Sequence, residues 1–224
     1  HCVRSRRRAP QTQRRNKTVK RVHNRMIGAI ILAAGESRRM GKQKLLLPYA
    51  GKKVIEHIVD QVLASEVGLT AVVTGHDQDG VHEALPSRDV IFAHNPRYTE
   101  GMLTSVRCGL AEMPADLEAF MVVLGDQPSL TPTVVNALIK AFRNGTHGIV
   151  VPFHDDDTGH PVLISAKYRD MVMTQFDDTG LRGLIYGRPE EVLKYPIGTG
   201  DVLRDMDTPE DYARELKCIA GGQV

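Results

Sequence analysis

Apolar positions along this chain fall into two periods. Residues 27–33 form a continuous apolar run that ends in a loop holding Gly35 and Gly41, and residues 119–124 form another that ends at Gly125-Asp126. Short runs bounded by glycine are the mark of strands buried on both faces. Further strands are predicted at 69–73, 90–93, 149–153, 162–164 and 192–195. Between them, residues 54–67 place Val54, Ile55, Ile58, Val59, Val62 and Leu63 on one helical face. Helices are also predicted at 105–113, stopping before Pro114, and at 132–142, with Thr131 as N-cap. Two more follow at 167–174 and 181–186, and a last one starts at Pro209. Strands alternating with helices predict an α/β protein, a three-layer α/β/α sandwich around a mainly parallel, Rossmann-like sheet. In such a sheet ligands gather beyond the carboxyl ends of the strands. That rule selects the loops at 34–48, 94–104 and 125–131 before any motif is considered.

Composition narrows the picture. The 224 residues suit one domain, expected over 26–224. Aromatic residues are 5% and tryptophan is absent, so the core is aliphatic. Residues 1–25 carry ten Lys or Arg and no acid; the remaining 19 basic residues face all 27 acids, so the rest of the chain has a formal charge of −8. An acidic body argues against nucleic acid as partner. The basic segment 1–25 reads as a nucleic-acid arm, a transit peptide or a disordered, non-native extension. The last is favoured because Met26 stands immediately before the first strand. Cys2, Cys108 and Cys218 form no CxxC pair, so neither a disulfide framework nor a zinc site is expected. No apolar run has the length of a membrane span. A cytoplasmic protein without membrane contact is expected.

The loop after the first strand reads Leu32-Ala33-Ala34-Gly35-Glu36-Ser37-Arg38-Arg39-Met40-Gly41-Lys42-Gln43-Lys44. Small residues let backbone amides approach an anion, and successive N–H groups form an anion nest. Arg38, Arg39, Lys42 and Lys44 supply charge to match a triphosphate. Five residues separate Gly35 from Gly41, and Gln43 follows Lys42, so this is no Walker loop; the GxGxxG of dinucleotide sites is missing too. A P-loop kinase and an NAD dehydrogenase both lose their main support.

The string Leu32 to Pro48 resembles the signature loop of the MobA-like nucleotidyltransferases, and within them that of the molybdenum cofactor cytidylyltransferases. The resemblance runs from about Ile27 to the C-terminus. It implies the nucleotide-diphospho-sugar transferase type of sheet, with Leu32, Ala33, Ala34, Gly35 and Ser37 wrapping the nucleotide. Arg39 would hold the β- and γ-phosphates and Lys44 the α-phosphate. Guanylyltransferase relatives usually carry glycine where this chain has Ala34, so CTP is the implied substrate.

Gly101 to Gly109 reads bare as a glycine turn capping a helix, whose free N–H groups suit a polar ligand equally well. By resemblance Thr104 and Ser105 lie near the base. Asp126, at the end of a strand beside the triphosphate loop, is placed to bind Mg²⁺, which takes one or two carboxylates plus phosphate oxygens and water. Gly125-Asp126-Gln127-Pro128 also resembles the family's metal motif. Asp205-Met206-Asp207-Thr208-Pro209-Glu210-Asp211 is explained by helix-start preferences alone. It resembles the family's DIDTPxD string, which makes Asp207 the second metal contact, with Asp205 as competitor.

On the acceptor side, Gly159-His160-Pro161 resembles the family's GHP motif, with Thr158 where arginine is commoner. Asp178 to Arg182 resembles its GDxGxR stretch, with Asp177 in place of the first glycine. His160 and Arg182 are thus implied acceptor ligands, although a structural loop histidine and a surface helix charge explain them as well. The implied reaction moves CMP from CTP to the terminal phosphate of molybdenum-molybdopterin, with release of pyrophosphate. Arg39, Lys44 and Asp126 are the expected catalytic groups, and no histidine or cysteine is needed. A molybdenum hydroxylase or its maturation chaperone is the implied partner. The rivals are GTP or another phosphorylated acceptor, a non-catalytic molybdopterin carrier, and an oxidoreductase whose nicotinamide or flavin site is nowhere to be found.

Overall fold

A computed structural model describes residues 26–221; the expectations for the basic segment 1–25 and for Cys2 lie outside the described residues. The chain opens with β1 (Ile27–Ala33) and a small hairpin of β2 (Pro48–Tyr49) and β3 (Lys52–Lys53). Next come α1 (Val54–Leu63), β4 (Leu69–Thr74), α2 (Gln78–Ala84), β5 (Ile91–His94) and α3 (Met102–Ala111). They are followed by β6 (Ala119–Leu124), α4 (Pro132–Asn144), β7 (Ile149–His154), β8 (Asp157–Thr158) and β9 (Val162–Ser165). The chain ends with α5 (Arg169–Thr174), α6 (Leu181–Tyr186), β10 (Val192–Pro196) and α7 (Pro209–Gly221).

The main sheet has the order β10-β7-β9-β6-β1-β4-β5, with β8 paired to β7. At its centre Ile31 of β1 faces Val72 of β4 and Val123 of β6, both in parallel register. β9 enters antiparallel between β6 and β7, with Leu163 opposite Met121. The sheet is therefore mixed but mostly parallel, as the alternation of elements predicts. The carboxyl ends of β1, β4, β5 and β6 all open on one edge. Because β9 runs the other way, its entry at His160-Pro161 reaches that same edge.

Period-two alternation divides the core. Ile27, Ala29, Ile31 and Ala33 point to one face, where they pack with Val54, Ile58, Val62, Val135, Leu138 and Ile139 from α1 and α4. Ile30, Phe120 and Val122 point to the other face, against Val106 and Leu110 of α3, Val172 of α5 and Leu184 of α6. Helices on both faces of one sheet give three layers. Every residue of β6 is buried, which is what a strand covered on both sides requires.

Boundaries depart from the hydrophobic pattern in a few places. α1 stops at Leu63 rather than near residue 67, where Ser65 and Glu66 turn toward the next strand. α3 starts at Met102, earlier than its apolar spacing, because Gly101 adopts φ +114 and turns the chain into the helix. α2 is an addition: its seven residues bury only Val81 and Ala84, too few for a periodic signal.

Candidate active site

A cleft of about 600 Å³ opens at the carboxyl edge of the sheet. Leu32, Ala34, Gly35, Ser37, Arg39, Lys44, Ser105, Asp126 and Asp207 line it, so the loops selected from the sequence do converge. Ala33, Thr104, His160 and Arg182 do not line it. Ala33 is buried with the α1–α4 side of the core. The Thr104 hydroxyl donates to the Gly101 carbonyl at 2.8 Å, within its own helix start.

The loop after β1 holds its shape through side chains. Ser37 takes a left-handed conformation, φ +55, and its hydroxyl donates to Gln43 Oε1 at 2.8 Å while accepting the Lys44 N–H at 3.1 Å. Gln43 in turn donates to the Gly35 carbonyl at 3.2 Å. Gly41 completes the turn at φ +63. Gly35 differs from these. Its φ is not in the left-handed region, and a Cβ built there meets nothing within 4 Å. Among the described residues no packing demands glycine at this point; the residue borders the cleft. Gly125 is a packing glycine instead, since a Cβ there would lie 2.5 Å from the Leu32 carbonyl oxygen. That close approach brings Asp126 against the end of β1.

Four charged side chains form a continuous array. Lys44 Nζ lies 2.5 Å from Asp126 Oδ2 and 2.7 Å from Asp207 Oδ1, and Arg39 Nη2 lies 2.6 Å from Asp207 Oδ2. Burial works against the Lys44 ammonium, yet Asp126 and Asp207 outweigh it and hold its pKa above the ordinary lysine value. Burial raises the Asp126 pKa; Lys44 opposes this, and the like charges of Asp205 and Asp207 add to it. Burial also disfavours the Asp207 carboxylate, but Lys44 and Arg39 prevail and lower its pKa. Asp205 reaches the cleft beside them and is oriented by the buried Gln127, whose Nε2 donates to Asp205 Oδ1 at 2.8 Å.

Asp126 and Asp207 both aim an oxygen at one cation, here the Lys44 ammonium. Hard carboxylate oxygens converging on one point are the donor set that Mg²⁺ favours. Among the described residues no three His, Cys, Asp or Glu side chains converge to hold a metal. A bound divalent ion would therefore complete its shell with phosphate oxygens and water, so the donor set fits a metal that arrives with its nucleotide.

The acceptor candidates sit next to the cleft. His160 follows Gly159, packs against the segment at Val202 through its N–H (3.1 Å to the Val202 carbonyl), and precedes Pro161 in cis. Burial lowers its pKa, with Asp126 opposing and Arg182 adding to the shift, so both charges lie within electrostatic reach. Arg182 is exposed at the start of α6, and among the described residues it makes no hydrogen bond or ion pair.

Residues in and behind the cleft wall escape sequence reasoning. Asn95, 3% exposed, donates from Nδ2 to both Thr104 Oγ1 and Ser105 Oγ at 2.9 Å, tying the loop after β5 to the start of α3. Tyr98 lines the cleft and donates to Glu36 at 3.3 Å, and Glu36 also pairs with Arg38. A polar or aromatic residue in a loop carries no periodic signal, and only its partners reveal its part.

Residues 29–192 match a family described as a MobA-like NTP transferase domain. Among curated proteins, the molybdenum cofactor cytidylyltransferase of Escherichia coli K12 is 31% identical over 189 residues, which span 83% of this chain and 93% of that protein. The bifunctional protein GlmU of Shouchella clausii is 33% identical over 140 residues, 61% of this chain but only 30% of its own length. Among solved structures, Rv0371c of Mycobacterium tuberculosis H37Rv superposes with a TM-score of 0.76 at 26% identity, covering 86% of this chain and 98% of that one. A complex of Rv0371c with manganese superposes with a TM-score of 0.71. Among the described residues no helix is long and apolar enough to cross a membrane.

Proposed function

The chain belongs to the MobA-like NTP transferase family, and on that premise we propose that it transfers CMP from CTP to the terminal phosphate of molybdenum-molybdopterin, giving the cytosine dinucleotide cofactor and pyrophosphate. The observation that carries this reading is the array Arg39–Asp207–Lys44–Asp126, which lines the same cleft as Gly35. Cations and carboxylates in alternation suit a bound polyphosphate accompanied by a divalent ion. Ala34, where the guanylyltransferase relatives usually carry glycine, also lines this cleft and supports CTP as the substrate.

An oxygen of the acceptor phosphate attacks the α-phosphorus of CTP. The bond from that phosphorus to the α–β bridging oxygen breaks, and the electron pair leaves on pyrophosphate. The nucleophile is already an anion near neutral pH, so no side chain must take its proton. Lys44 would turn from Asp126 to the α-phosphate, and Arg39, exposed at the mouth, would swing to the β- and γ-phosphates. Their contribution is charge neutralisation and in-line positioning. Mg²⁺, when bound by Asp126 and Asp207, supplies further positive charge against the phosphate oxygens. His160 and Arg182 would receive the acceptor, Arg182 through its exposed guanidinium. The intact triphosphate array argues against a mere molybdopterin carrier, and a molybdenum hydroxylase or its chaperone would take the product.

The test is pyrophosphate release from CTP, GTP, UTP and ATP with Mg²⁺ and purified molybdenum-molybdopterin. CTP should be preferred, and release should require the acceptor. Preference for GTP would overturn the choice of base. Release with a sugar phosphate but not with the pterin would overturn the acceptor.

A further inference from the structure

Arg107 sits on α3, two residues after the cleft-lining Ser105, yet it does not line the nucleotide cleft, and its side chain reaches the end of α5 and the turn beyond it. There its guanidinium makes three bonds. Nε donates to the Val172 carbonyl at 2.8 Å, Nη2 to the Gln175 carbonyl at 2.6 Å, and Nη1 to Asp177 Oδ1 at 2.6 Å. The first two acceptors lie at the carboxyl end of α5, where helix carbonyls lack partners of their own. The side chain is only 16% exposed, and its bond to the Val172 carbonyl is partly buried, while the bonds to Gln175 and Asp177 lie nearer the surface.

The braced turn leads directly to Arg182. Phe176 has φ +74, a conformation costly for a bulky residue. The N–H groups of Thr179 and Gly180 both donate back to its carbonyl, at 3.2 and 2.8 Å. Gly180, at φ +62, then starts α6. Gln175 and Asp177, the neighbours of the strained residue, are both held by Arg107. The carboxylate of Asp177 is 73% exposed, so that contact is weak by itself. The two carbonyl bonds therefore carry most of the brace.

We infer that Arg107 is a positioning residue: one guanidinium rooted in the helix that borders the nucleotide cleft fixes the turn that carries Arg182, and thereby sets where the acceptor phosphate lies relative to the triphosphate. This rests on the reading of the cleft and of Arg182 given above. Lysine cannot replace it, because an ammonium on a flexible stem does not reproduce three planar donors.

The experiment compares the parent protein with Arg107→Lys and Asp177→Ala. Arg107→Lys keeps the charge and the aliphatic stem, so the fold is retained. Amide hydrogen exchange should quicken in 172–182 and nowhere else. The KM for the molybdopterin acceptor should rise roughly tenfold to a hundredfold, the scale of losing one hydrogen bond to a charged group. The Kd for CTP with Mg²⁺ should stay at the parent value. Asp177→Ala should shift the acceptor KM in the same direction by less. Unchanged exchange in 172–182, a normal acceptor KM, or an equal loss of CTP affinity would each overturn the inference. A parent protein that releases no pyrophosphate from any triphosphate would overturn the reading of function instead, and the brace would then stand or fall on the exchange data alone.

Discussion

Gly35 and Lys44 separate structural from functional demands at single positions. Among the described residues nothing comes within 4 Å of the place of a Gly35 Cβ, and the φ there is one other residues adopt. Gly35→Ala should therefore melt at or slightly above the parent temperature, since a compatible Gly-to-Ala change stabilises by about 0.4–1 kcal/mol through the unfolded chain. The same variant should bind CTP at least about tenfold more weakly, a loss of roughly 1.4 kcal/mol, measured by calorimetry. Normal CTP binding would show that the space beside Gly35 is not used. Lys44 carries the opposite signature. Its removal leaves Asp126, Asp205 and Asp207 close together without their main counterion. Lys44→Met should lower turnover on the order of a thousandfold, the scale of removing a cation from a phosphoryl-transfer site. It should also melt lower in EDTA than in Mg²⁺ by a wider margin than the parent, because a divalent ion then offsets the carboxylates. Equal melting of that variant in both buffers would contradict a cation position between Asp126 and Asp207.

Among the elements, β1, β6 and α6 have the limits read from the hydrophobic pattern, and α4 starts where Thr131 and Pro132 say it should. The Thr131 side chain accepts the Val134 N–H. Thr131→Ala should cost about 1 kcal/mol, lowering the melting temperature by roughly 2–4 °C in a protein of this size. Other features were not legible. The direction of β9 is invisible, because an apolar run of three residues reads the same in a parallel or an antiparallel strand. The hairpin of β2 and β3 is two residues per strand, below any period. α2 hides because Gly80 interrupts it, although Asp77 accepts the Gly80 N–H as an N-cap. An ion cluster anchors α2: Arg88 just beyond it pairs with Asp60 at 2.7 Å and Glu56 at 3.2 Å of α1. The bond from Arg88 lowers the Asp60 pKa, with Lys52 adding to it against burial. A lowered folded pKa means the stabilisation is complete above the ordinary aspartate value, about pH 4, and is lost as the pH falls through the lower folded value. Asp60→Asn should thus reduce stability at neutral pH and flatten its decline in acid. Melting curves across this range check it, and a variant with the parent's acid slope would refute it.

At the scale of the whole molecule, the sheet's direction of travel makes the site. Parallel strands deliver the loops after β1, β5 and β6 to one edge, and the reversed β9 returns His160 to that edge from the far side of the chain. The sequence motifs named the loops correctly because each follows an apolar run whose carboxyl end must lie there. They could not name Asn95, Tyr98 or Gln43, whose roles exist only through partners brought close by folding. Nor could they show that Lys44 bridges two carboxylates 82 and 163 residues away. The central claim is that this bridge marks the place of a divalent ion shared with a triphosphate. A crystal of the protein grown with CTP and Mn²⁺ tests it most directly. The account predicts anomalous manganese density between Asp126 and Asp207, with the triphosphate along residues 35–44 and Lys44 turned toward it. Manganese or nucleotide bound elsewhere, with the Lys44 bridge intact, would contradict it.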